Sequence, residues 1–196
     1  AGFGVTGMEF AITAAGALLQ YLQETQKTAL PHLTGLAVEN RDEAVQLDPA
    51  TRRNLELLES TNGREGGSLA AVLDATATPM GARELRRWLS RPLRATAPLE
   101  ERLDGIAELL AAGVVDSLLE ALRGVGDVER VLTRIALGTA RPRDLAGLRS
   151  ALESIPAVAN LLANCTTPLL ERAALTLCAG GAGRRLAELS ELLFQA

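Results

Sequence analysis

Arg83, Arg87 and Arg91 recur at intervals of four in "TPMGARELRRWLSRPLR", residues 78–94, a stretch holding five arginines, one glutamate and the chain's only tryptophan. Guanidinium groups at that spacing form a ridge that can hold phosphates, and an indole beside them can stack on a base. The same spacing also describes an ordinary amphipathic helix. On a 100° wheel, Leu85, Trp88 and Leu89, with Ala82 at the margin, share the side opposite the arginines. The wheel therefore predicts Trp88, Leu85 and Leu89 as the structural anchor, with Trp88 buried and the arginines solvated. Phosphate contact by Arg83, Arg87 and Arg91 is the competing use of the ridge.

Other constellations that could carry chemistry are incomplete. Lys27 is the only lysine and lies in "ETQKTAL", so no GxxxxGK[ST] phosphate loop can be written. The single histidine, His32, follows Pro31 and has no partner motif for acid-base work, and no GxSxG is present. Cys165 and Cys178 lack CxxC spacing and read as thiols of a reducing compartment. "AGGAGRR" at 179–185 follows no strand and reads as a turn between helices, and "NGREGGS" at 62–68 as a connector. Glu100 and Asp104 share a helix face, where such acid pairs are ordinarily solvated. No catalytic, cofactor-binding or metal-ligating residue is assigned.

The elements that must position these residues follow from composition and periodicity. The chain has 196 residues, 47% of them apolar but only 3% aromatic, so its core must be built mainly from Leu, Ala and Val. That composition favours packed helices. A net charge of −4 argues against holding nucleic acid by bulk electrostatics. No membrane span and no secretory signal are visible, so the cytoplasm is the expected compartment. Helical periods run from Met8 to about Thr28, through "LDPATRRNLELLES" with Asp48 as cap and Pro49 in the first turn, and through "SLAAVLDAT". Arg52 is placed to reach Glu56 at i, i+4, with Thr51, Leu55 and Leu58 inward.

"PLEERLDGIAELLAAG" puts Leu99, Leu103, Ile106 and Leu110 on an inward stripe. "GDVERVLTRIALGTARPRDLAGLRSALESIP" predicts two helices, the first with Val128, Leu132 and Ile135 on one side and Gly138 closing it, the second running from Pro142 to Pro156. Shorter helices are expected near 157–163, 168–178 and 184–195. At most one small β element is predicted, near residues 34–47. Between Pro98 and Arg130 eight acids face three arginines, so the basic ridge has potential ion-pair partners within the chain.

Three stretches, "LDPATRRNLEL", "TPMGARELRRWLSRPLR" and "GDVERVLTRIALGTARPRDLAGLR", together resemble the core, or lever, domain of the MutS family of bacterial DNA mismatch-repair proteins. "GFGVTGMEFAITAAGALLQYLQETQKTALPHL" is similar to the segment joining that family's connector domain to its core. The resemblance implies a mainly α multi-helix bundle of the core/lever type, with residues 1–30 as the connector-to-core linker helix and 31–196 as the helical core. It also implies a piece of a longer protein, truncated before the clamp and ATPase parts; "AGFGVTGMEF" lacks an initiator methionine, and "ELLFQA" falls inside a helical pattern. No Phe-x-Glu mismatch-reading motif can be read at Phe3, Phe10 or Phe194.

The implied role is a noncatalytic scaffold coupling mismatched-DNA binding to the parent's ATPase domain. The cofactor, ATP with Mg²⁺, belongs to the parent and none to this piece. The implied partners, again through the parent, are mismatched duplex DNA and MutL, with the parent a homodimer. The alternative is a self-standing helical interaction module, or a family paralogue outside mismatch repair.

Overall fold

Leucine and alanine at helical spacing, punctuated by caps and prolines, set the architecture of the computed structural model, which describes residues 8–26, 38, 43–64 and 66–178. The helices are α1 (Glu9–Gln26), α2 (Pro49–Asn54), α3 (Leu69–Leu73), α4 (Pro79–Ser90), α5 (Ala97–Ala111), α6 (Val115–Arg123), α7 (Val128–Ala136), α8 (Pro142–Leu162) and α9 (Pro168–Cys178). Their starts are chemically marked. Asp48 accepts the Thr51 amide at 2.6 Å, Ser68 that of Ala71 at 3.2 Å and Thr78 that of Gly81 at 3.0 Å, each satisfying an otherwise orphaned N–H. Proline occupies the first turn of α2, α4, α5 and α8. Gly138, at φ 67°, supplies the left-handed residue just past α7, as its position in the sequence predicts.

α8 is the spine: α6, α7 and α9 all pack on it, and α9 also packs on α5. Its buried face carries Leu148, Ala151, Leu152, Val158, Ala159 and Leu162, spaced for one side of a helix. Val158 and Leu162 join Leu170 of α9 in the main core cluster, with Leu109 of α5 and Leu118 and Leu122 of α6 against it. α5 meets α9 at Gly105, which is buried; a Cβ there would lie 3.5 Å from Leu169 Cδ2 and 3.6 Å from Leu170 Cγ, so a larger side chain would push the helices apart.

The structure corrects several expectations. α8 continues through Pro156 instead of ending there. The missing N–H and ring clash are outweighed by burial on both sides of the proline, Ala151 and Leu152 before it and Val158, Ala159 and Leu162 after. In α5 the expected inward stripe is turned outward: Leu103 is 64% and Leu110 65% exposed, while Glu101, Gly105, Glu108 and Leu109 form the side nearer its neighbours. The competing factor is polar, because Arg172 of α9 pairs with Glu101 at 2.7 Å and the start of α9 is capped by Glu108. Leu132 of α7 and Leu55 and Leu58 after α2 are likewise exposed, and Leu57 is buried in their place. α6 was not expected as a separate helix.

Among the described residues there is no strand. The small β element near 34–47 is represented by a single antiparallel bridge, Ala44 with Leu93, flanked by the bonds from the Val45 amide to the Pro92 carbonyl (2.8 Å) and from the Arg94 amide to the Glu43 carbonyl (3.0 Å). Residues 34–37 and 39–42 of that expectation, His32, and the expected helix at 184–195 lie outside the described residues.

Glu108 ties the end of α5 to a segment almost sixty residues later. Its carboxylate accepts the Thr166 amide at 2.6 Å and the Thr167 amide at 2.9 Å, supplying the α9 N-terminus with an anion from another helix. The buried Thr167 hydroxyl, which finds no partner at good hydrogen-bonding geometry, lies beside it. That hydroxyl first, and then the two amides, hold the Glu108 carboxyl down from its ordinary 4.5 to about 2. A carboxylate with a depressed folded-state pKa contributes stability that is fully present above its unfolded value and is lost as pH falls through the folded one. Acid titration of the thermal midpoint should therefore show a decline between about pH 4.5 and pH 2 that is flattened in Glu108→Gln. An unchanged acid limb in that variant would remove Glu108 as its source.

Candidate functional site

The arginines of α4 and its C-cap meet different surroundings. Thr78 caps the helix, Pro79 fits its first turn, and its last turn carries Arg87. Arg83 reaches across to α7: Nη1 lies 2.5 Å from Asp127 Oδ2, and Nη2 2.8 Å from Asp127 Oδ1 and 2.5 Å from Glu129 Oε2. A bidentate guanidinium–carboxylate pair with a second acid behind it is geometrically specific as well as attractive. It holds the Asp127 carboxyl below its ordinary range, chiefly through the bonds from Arg83, and holds Arg83 above its ordinary value. Arg83 is thus engaged by internal partners while its side chain stays 38% exposed.

Arg87 is 70% exposed and only 3.7 Å from Glu84 on its own helix, a surface pair of small energetic consequence. Arg91 has left the helix. It is the C-cap at φ −139° and ψ 69°, its amide donating to the Arg87 carbonyl, so the i, i+4, i+8 alignment ends one step short. The three arginines expected as one phosphate-binding ridge are therefore separated into a cross-helix tie, a surface pair and a cap.

Trp88 is also corrected. It is 40% exposed, while Leu85 and Leu89 are half-buried. The physical reason is the indole N–H, which needs an acceptor and finds one in Glu84 on the same helix. Arg102 of α5 lies over the indole, its Cζ 3.7 Å from the ring centroid, in cation–π contact. Trp88 thus meets α5 through the Arg102 side chain, with its indole N–H turned to Glu84.

The partners in these ties were not singled out individually from the sequence. The excess of acids between Pro98 and Arg130 pointed to Asp127 and Glu129 as a group, but Arg102 had no periodic or compositional signal. A third tie, Arg134 Nη1 to Asp144 Oδ1 at 2.6 Å, joins α7 to α8; Asp144 also accepts the Arg141 amide at 2.9 Å and is buried. Among the described residues no group of His, Cys, Asp and Glu could hold a metal ion. Glu100 and Asp104 are exposed, and burial raises the Cys165 thiol, with Glu108 adding to it. The glycine-rich turn at 179–185 lies outside the described residues.

Arg83→Ala and Asp127→Asn should each lower the thermal midpoint by about 2–4 °C, with the double variant little worse than either single one, since both remove one interaction. Arg87→Ala should leave it unchanged. Fully additive losses would show that Arg83 and Asp127 act separately. Trp88→Ala should cost about 1–2 kcal/mol, less than the 3–5 typical of a buried tryptophan, and native indole emission should move red in Arg102→Ala. Emission unaffected by Arg102→Ala would count against the stacked pair.

The family model for MutS domain III matches residues 50–196 of this chain.

Proposed function

The chain belongs to the MutS family, and on that premise we propose that it is a noncatalytic helical scaffold that couples mismatched-DNA binding to the ATPase domain of a mismatch-repair parent. The observation that carries this reading is α8. At 21 residues it is about 31 Å long, and α6, α7 and α9 all pack on it, so a displacement of one of them is felt by the others through a shared helix. Interfaces of this kind shift as packed units instead of deforming smoothly.

In this reading residues 1–30 lead from the connector to the core, and 31–196 form the core. ATP with Mg²⁺ is the cofactor of the parent, bound outside this stretch. The parent works as a homodimer in the cytoplasm, with mismatched duplex DNA and MutL as partners. Among the described residues no helix is long and apolar enough to cross a membrane. One observation favours the alternative of a helical interaction module: α1 and α5 carry apolar side chains outward, with Phe10 93% and Leu103 64% exposed.

The chain by itself should neither turn over ATP nor prefer a G·T over a G·C duplex at one fixed salt concentration. Mismatch-selective binding by the isolated chain would overturn the scaffold assignment. Deleting the gene should raise the spontaneous mutation frequency; an unchanged frequency would leave the interaction-module reading in its place.

A further inference from the structure

Between α2 and the end of α4 lies a cleft of about 460 Å³, within the size range of small-ligand sites. Arg52, Arg53, Glu59, Ser60, Thr61 and Ser90 contribute its polar lining, over Leu57 and Leu58. Helical spacing would pair Arg52 with Glu56, but the chain turns away first. α2 ends at Asn54, Leu55 caps it, and Glu56 takes φ 47°, the left-handed region that a residue with a side chain rarely adopts. Glu56 is thereby aimed into its own loop, accepting the Thr61 amide at 2.7 Å together with the hydroxyls of Thr61 and Ser60. The guanidinium groups of Arg52 and Arg53 have no ion-pair or hydrogen-bond partner among the described residues.

The donor inventory of the cleft then narrows what it can hold. The hydroxyl protons of Ser60 and Thr61 go to Glu56, and that of Ser90 to the Arg86 carbonyl at 2.8 Å. Two guanidinium groups are the uncommitted donors, against one exposed acid, Glu59. A ligand that satisfies both guanidinium groups is a small multiply charged anion rich in acceptors, which describes a phosphoryl group.

We propose that the α2–α4 cleft binds a phosphoryl group through Arg52 and Arg53. The phosphoryl group comes either from a small polyphosphate or from a nucleic-acid backbone. This site is separate from the scaffold role, which assigns no ligand to α2. The test titrates the chain with inorganic pyrophosphate by calorimetry at low ionic strength, and in a second arm with a short duplex DNA, in wild type, Arg52→Gln/Arg53→Gln and Glu59→Gln.

Saturable pyrophosphate binding is expected. It should weaken by about tenfold or more in the double variant and tighten in Glu59→Gln, with the circular dichroism spectrum and thermal midpoint unchanged because all three side chains are exposed. Duplex binding that the double variant weakens and pyrophosphate competes away would identify the backbone as the source. Duplex binding indifferent to both, beside intact pyrophosphate binding, would identify the small polyphosphate. No saturable binding of either probe, or binding that survives the double variant undiminished, overturns the proposal.

Discussion

Asp127 is the junction on which the arrangement of the helices turns. It caps α7, accepting the Arg130 amide at 3.3 Å; it receives both Nη groups of Arg83; and its side chain is only 18% exposed. A carboxylate this far from water is tolerable only while its lone pairs are occupied, so the cap and the tie depend on each other. Through it α4 is fastened to α7, and α7 in turn packs on α8. The second fastening of α4, Arg102 over Trp88, also uses a guanidinium. The ion pairs that join α4 to its neighbours are therefore directional, in contrast to the aliphatic contacts that join α6, α8 and α9.

α7 shows the same logic at both ends. Its N-terminus is met by Asp127 and its last turn carries Arg134, which reaches Asp144 of α8. An acid at the start and a base at the end are the signs the helix macrodipole favours, so each cross-link also suits the local backbone. Glu108 repeats the device between α5 and α9. Negative side chains in this chain, which carries a net −4, act as inter-helix pins as well as solvated surface.

The helices were legible where punctuation and periodicity agreed. Asp48–Pro49, Thr78–Pro79 and Gly138 mark boundaries that the structure keeps, because a cap or a positive φ is a local requirement that tertiary context seldom overrides. The inward faces were less legible. A wheel shows which side chains lie together, but not whether a neighbour arrives on that side; on α5 the neighbour, α9, came to Gly105 and the side holding Glu101 and Glu108. On α4 the wheel groups Trp88 with Leu85 and Leu89 and treats that side as buried, whereas Glu84 and Arg102 engage the indole at the surface. The site was legible only as a charge imbalance, because pairing across 44 positions leaves no short-range pattern.

Pro156 gives the spine a mechanical character of its own. Its nitrogen carries no hydrogen, so one rung of the α8 ladder is missing, near the boundary between two sets of buried side chains: Leu148, Ala151 and Leu152 on one side, Val158, Ala159 and Leu162 on the other. A rod with one weakened section bends there first. The segment bearing Asp144 is pinned to α7, and the segment after Pro156 is seated in the main core. α8 thus carries its one proline-imposed gap in the backbone ladder between two separately anchored segments, both buried along the same face.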